Sequence, residues 1–370
     1  MIGRWTVRGL LEARLRTTGS VLAVAAALLL VVTFRAVWEA EAEQLAAFVE
    51  NAGADVWVMQ EHVANMHMAT SFVSGSVRRR VERVEGVESV SAILYLNTMV
   101  EAGARSRFSY VVGIEGADQM GGPWSMSQGR AEIEAGEAIV PEILARVSGL
   151  RVGSSIRIGD RTFTVVGLSA GTFSLANPIT FVHADDLADL LSLVGYRSYV
   201  LVRAGPGVDP DVLAARIRDE VGDIAALSTK RLVESDTQLA RQMGSELILM
   251  MTWICAVLAT MLVAFFLHLH ASHGVHDLAV IKALGFERGT LYRVVIVQAC
   301  LITGVAFVLA MLLALLLQVV GPRLVPVLAL TFSLSDMAAI GLAAMGVALV
   351  SALTVARRVG RVDPLLVFSP

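Results

Sequence analysis

The side chains best suited to chemistry lie in one short run. Between positions 59 and 68, five of ten residues carry a thioether or an imidazole: Met59, His62, Met66, His67 and Met68. The 370-residue chain holds only 14 Met and 7 His, so this is a local excess. Thioether and imidazole donors suit Cu(I) or the axial positions of haem. On a helix, His62 and Met66 stand at i and i+4 and face one site. The competing reading is packing, because methionine fills irregular apolar gaps. His62, Met66 and His67 are therefore candidate ligands, although no resident metal or cofactor is expected in this chain.

A second group, His268, His270, His273 and His276, follows a long apolar run. The positions three and four after His268 are Ala271 and Ser272, so His268 has no ligand neighbour on its own helical face. His270 and His273 are three apart and could share a face, as could His273 and His276; a structural zinc site would add cysteine or acids, and the competing reading is interfacial polar residues. No G-x-x-x-x-G-K-[ST] loop, G-x-S-x-G elbow or H-E-x-x-H pair occurs. Nothing sets a nucleophile beside a base, and the expectation is a protein without catalytic residues.

The elements around these residues are dominated by apolar segments. The composition is 55% hydrophobic with mean hydropathy +0.67, too apolar for an ordinary soluble domain. Four runs carry no charge: 17–34, 247–267, 294–320 and 337–356. About 20 residues of helix span a bilayer's hydrocarbon core, so each is expected as a transmembrane helix. The first could also serve as a signal-peptide core, with Ala40-Glu41-Ala42 a weak cleavage site. Orientation follows from the basic flanks. Arg4, Arg8, Arg14 and Arg16 precede the first run. Lys282, Arg288 and Arg293 lie between the second and third, and Arg357, Arg358 and Arg361 follow the fourth. Both termini and residues 268–293 are thereby expected in the cytoplasm, with 35–246 and 321–336 outside. Cys255 and Cys300 both fall inside apolar runs, as packing residues.

Residues 35–246 hold 28 acidic and 19 basic side chains, which argues against electrostatic binding of nucleic acid or anionic lipid head groups by this segment. Strands are expected over 55–59, 87–98, 109–114, 138–140 and 199–203, with helices over 77–84, 142–147, 184–193 and 210–221. Glycines from 149 to 171 punctuate three short strands, with a hairpin turn at Gly159-Asp160. The order is that of an α/β domain with a small β-rich subdomain inserted.

The cytoplasmic stretch His276 to Leu291 opens with Asp277, a good N-cap. Leu278, Ile281 and Leu284 recur at helical spacing, and Gly285 is placed to end the helix. This run resembles the cytoplasmic segment of FtsX/MacB-type ABC-transporter permeases, close to R-E-I-G-x-L-K-A-L-G. Lys282, Ala283, Leu284 and Gly285 match it, while His276 and Asp277 stand for its Arg and Glu. The phrase VPEILARVSGLRVGSSIRIGDRTFTVVG and the C-terminal RVDP (361–364) are similar to the same family, and to its small four-span DevC/HrtB-like members.

The resemblance implies a membrane α-helical fold with an inserted extracytoplasmic α/β porter-type domain. Its porter-like halves would occupy about 50–130 and 175–230, around a β subdomain at about 131–174, with a cytoplasmic N-terminus at 1–16 and tail at 357–370. It also implies that Asp277, Leu278, Ile281, Lys282, Leu284, Gly285 and Phe286 form a coupling helix docking on a separate ABC ATPase, which would carry the ATP and Mg. Two copies would dimerise in the inner (cytoplasmic) membrane, among membrane lipids and with an adaptor protein as a further partner. The implied function is outward movement of a lipidic or amphipathic substrate by mechanotransmission. The alternative is an FtsX-type regulatory protein that activates an external cell-wall hydrolase.

Overall fold

The computed structural model describes residues 14–66, 70–103, 105–115, 120–174, 178–273, 288–325 and 330–359. These form two compact units, one of apolar helices and one drawn from 40–245.

The helical unit takes its members from four long helices. They are α1 (Arg14–Asn51), α6 (Thr229–His273), α7 (Arg288–Leu324) and α8 (Leu334–Val359). Three helices are long and apolar enough to cross a membrane: Thr17–Glu41, Tyr292–Gly321 and Leu334–Thr354. The expected second span lies within α6, where the apolar stretch Trp253–Phe266 is shorter. Alanine governs the packing of α7 on α8. Ala299, Ala306 and Ala310 share one core with Ala344, Ala348, Ala352 and Ala356, joined by Val24, Ala25 and Leu28 of α1. Small side chains let helix backbones approach closely where apolar attraction between helices gives no net gain. The alanines of the fourth apolar run thus pack within the chain. Larger side chains, among them Leu342, Val350, Leu312 and Val305, point outward.

In the second unit, ten strands form one sheet, ordered β12-β1-β11-β3-β4-β9-β6-β8-β5, with β7 paired to both β3 and β8. The strand β1 (Val56–Gln60) lies antiparallel between β12 (Ile224–Ser228) and β11 (Tyr199–Ala204), and β11 pairs antiparallel with the first half of β3 (Val87–Ala102). Strand periodicity sorts their side chains to two faces. Val56, Val58, Val200 and Val202 pack on α2 (Gly75–Val81) and α5 (Pro210–Val221). Trp57, Met59, Tyr199 and Leu201 face Phe48 and Val49 of α1 and Leu232 of α6. Helix α5 starts cleanly because Asp209 accepts from the N–H groups of Asp211 and Val212, and Pro210 fits the first turn.

The remaining strands close on themselves. The second half of β3 pairs with β4 (Arg105–Ile114), and β4 runs parallel to β9 (Ile179–His183). Next come β6 (Glu137–Pro141), β8 (Arg161–Ser169) and β7 (Ser155–Ile158), and β7 returns to β3 through Val100 and Ile158. All six strands feed one core: Leu94, Val111, Val182, Val140, Phe163 and Ile156. Closing the ring removes exposed strand edges. The segment expected as an inserted subdomain is therefore hydrogen-bonded into the same sheet as the segments on either side of it. Two strands stand where three were expected between 149 and 171, because β8 runs unbroken through Gly167. A Cβ there would lie 2.5 Å from the Arg130 carbonyl oxygen, so glycine admits the neighbouring chain. The short α3 (Glu142–Ser148) ends on Gly149 in the left-handed region. Also present are β2 (Val73–Ser74), paired with β10 (Tyr196–Arg197), β5 (Met126–Gly129) beside β8, and α4 (Ala184–Leu191).

Candidate functional site

The structure separates the residues of the proposed ligand cluster. Positions 61–66 form turns and irregular backbone, so His62 and Met66 do not share a helical face. His62 adopts φ 66°, its side chain 90% exposed, with Nε2 3.8 Å from Glu61. Met66 is buried in the aromatic core, and its N–H donates to Oδ1 of Asp236 at 2.9 Å. Met59 is buried on β1. The reason is packing: β1 ends at Gln60, and the chain must turn there before Met66 re-enters the core. His67 and Met68 lie outside the described residues. Among the described residues, no group of three or more His, Cys, Asp or Glu side chains is placed to hold a metal ion.

The proposed coupling residues, Asp277, Leu278, Ile281, Lys282, Leu284, Gly285 and Phe286, lie outside the described residues, as does His276. The helix α6 ends before this stretch at His273, and α7 begins after it at Arg288. His268 is exposed on α6. The cysteines are free and half-buried. Gln318 Nε2 donates to the Leu330 carbonyl just before α8, at 3.4 Å.

Sequence reasoning missed a charge pair among the apolar helices. Arg35 and Asp336 each flank a charge-free run by one residue, so each reads alone as a boundary. Folding brings them together: Arg35 Nε donates to Asp336 Oδ2 at 3.0 Å. Nearby, the Thr331 N–H donates to the Ala36 carbonyl at 3.2 Å. A cavity of about 180 Å³ adjoins the pair, lined by Val31 and Phe34 of α1, Cys255 of α6, and Ala339 and Ile340 of α8.

Two further groupings mark the sheet unit. Glu115 accepts from Arg78 at 2.8 Å and from Arg197 at 3.1 Å, joining α2 to β10 over a surface cleft. A row of ring contacts links Phe48, Trp57, Tyr199, Tyr95, Tyr110 and Phe108 across four strands, with centroids 5.2 to 6.4 Å apart. Burial pushes the phenols of Tyr95, Tyr110 and Tyr199 upward, and the negative charge of Asp236 raises Tyr110 and Tyr199 further. All three therefore stay neutral at ordinary pH. This row is a packing device with no nucleophile in it.

The helices and the sheet unit together define a membrane protein with a large extramembrane α/β domain. Residues 17–220 match the family model of the MacB-like periplasmic core domain, and 249–364 match the FtsX-like permease C-terminal model. The chain belongs to the FtsX/MacB-like permeases of ABC transporters, and it is a multi-pass membrane protein. It is 26% identical over 329 residues to an uncharacterized ABC transporter permease of Mycobacterium bovis, spanning 86% of each chain, and to one of Mycobacterium tuberculosis to the same extent. Among solved structures it is similar to the periplasmic region of MacB from Actinobacillus actinomycetemcomitans. That match has 12% identity and a TM-score of 0.38, covering 50% of this chain and 94% of that one. The extracellular domain of the transporter YknZ from Gram-positive bacteria matches at 13% identity and TM-score 0.35, covering 47% and 98%. The family is a permease component of ABC transporters, a type of subunit that works with an ATPase and is not itself a catalytic enzyme.

Proposed function

We propose that this chain is a four-span permease coupling ATP hydrolysis on a separate ATPase to outward movement of a lipidic or amphipathic substrate. The observation that carries this reading is helix continuity. The 38-residue α1 and the 45-residue α6 each run unbroken from a strongly apolar stretch into residues of the sheet unit. A continuous helix transmits displacement that a flexible linker would absorb. In this scheme the segment from Asp277 to Phe286 docks on the ATPase, which carries the ATP and Mg, and no cofactor resides in this chain. Two copies pair, both termini lie in the cytoplasm of the inner membrane, and residues 35–246 face outward to meet an adaptor.

The spans carry few charges, which suits cargo entering from the lipid and disfavours an ion pathway. Reconstitution of the chain with its ATPase in vesicles tests the reading. Amphipathic compounds are expected to raise ATP turnover and to be moved outward. Turnover indifferent to every amphipath but dependent on a wall hydrolase would replace transport with regulation.

A further inference from the structure

We propose that the cavity beside Arg35 and Asp336 is a binding site for an amphipath with an anionic head group, its alkyl chain lying against Val31, Phe34 and Ile340. The geometry of the guanidinium carries this. Among the described residues, Arg35 donates from Nε to Asp336 Oδ2, and its Nη1 and Nη2 have no protein partner. Arginine offers five donors in a planar fork that matches phosphate and carboxylate oxygens in pairs. Four of the five are left for something else, and the side chain is 39% exposed.

Apart from Arg35 and Asp336 the lining of this cavity is apolar, with Cys255 and Ala339 completing its wall. An apolar pocket with a few convergent polar groups is the usual form of a small-molecule site. The charge selects the occupant. A cationic head would meet the guanidinium, whereas an anion takes the free donors and competes with Asp336 for the same arginine. Asp336 is then a built-in rival that weakens binding while it holds α8 to α1. The site deepens the transport reading by naming a substrate charge, yet its occupancy requires neither nucleotide nor ATPase.

The test uses the full chain in phosphatidylcholine nanodiscs, carrying Cys300→Ala so that Cys255 is the sole thiol. The rate of Cys255 alkylation by N-ethylmaleimide is measured against rising dodecyl phosphate. The expected result is saturable, severalfold slowing by dodecyl phosphate, and none by inorganic phosphate or dodecyltrimethylammonium. Arg35→Gln abolishes the slowing, while Asp336→Asn shifts half-protection to lower concentration. Both variants break the same ion pair, so a purely structural clip predicts that both respond alike. Loss of protection in both, no protection of the parent, or equal protection by the cationic amphipath overturns the site. Because the assay contains no ATPase, its failure leaves the transport reading to its own experiment, and failure of transport leaves this binding result standing.

Discussion

Arg35 and Asp336, 301 positions apart, are joined by a 3.0 Å bond from Nε to Oδ2, and they tie α1 to α8 where both helices are apolar. Both side chains are partly exposed, at 39% and 30%, so the pair falls between a screened surface bridge and a buried one. Neutralising either partner as Arg35→Gln or Asp336→Asn should lower the thermal midpoint of the full chain in detergent. The double variant should lose less than the sum of the singles, with a coupling of about 1 kcal/mol. Strict additivity would show that the two groups do not stabilise one another.

Among the described residues, the buried Tyr199 hydroxyl has no hydrogen-bond partner. Removing an unpaired buried polar group is close to neutral or stabilising. Tyr199→Phe should thus change stability at pH 7 by no more than about 0.5 kcal/mol. Alkaline pH gives the sign of a second effect. Desolvation, with Asp236 adding to it, raises the folded phenol above the value of about 10 that it has when unfolded. The folded state keeps a proton that the unfolded state releases, so stability held below about pH 10 is lost as pH rises further. Stability against pH, followed by unfolding at pH 7 to 11, should fall less steeply in Tyr199→Phe. A loss above about 1 kcal/mol at pH 7 would mean the hydroxyl is satisfied.

Orientation can be read by single cysteines in a chain free of its own two. Ser106 is exposed on β4 and Ser154 half-exposed before β7, and both should react with an impermeant thiol reagent added outside intact cells. Gly289, exposed at the start of α7, should not. Ser228 is a natural choice from sequence alone, but it is buried in β12 opposite Val56 and would report nothing. Labelling at Gly289 from outside would reverse the assigned topology.

Docking on the ATPase is tested by Leu284→Asp. An aspartate in an apolar anchor must be buried charged or leave its groove, at a cost of several kcal/mol. The expected outcome is loss of ATPase co-purification from membranes that still contain the permease at parental level. Retained co-purification with full turnover would remove the segment from the interface.

What could be read without coordinates followed from local pattern. The β1, β3, β4 and β11 strands were legible because β-branched and aromatic residues cluster there, and α5 because Asp209-Pro210 announces its start. The strand β12, Ile-Ala-Ala-Leu-Ser, carries too weak a β signal, and the polar β5 carries none. Ring closure depends on Val100 meeting Ile158, a pairing that no local period encodes. The same applies to the candidate site. Arg35 and Asp336 each looked like the edge of an apolar run, and only tertiary contact makes them one feature. The His62 and Met66 spacing misled for the opposite reason, since a helical interval means nothing in a turn. The family resemblance was legible in Lys282 to Gly285 and RVDP, and the two family matches cover both regions of the chain.

The alanine seam between α7 and α8 has a consequence for registry. Ala344, Ala348, Ala352 and Ala356 repeat every four residues, and Ala306 and Ala310 repeat likewise opposite them. Sliding one helix past the other by a single turn, about 5.4 Å, would set alanine against alanine again at little steric cost. One contact breaks that equivalence. The Phe307 ring lies so close over Gly341 that a Cβ there would sit 2.8 Å from it. Along its alanines the seam is smooth, and the Phe307 ring over Gly341 is a notch that favours one of several near-equal alignments of the helices.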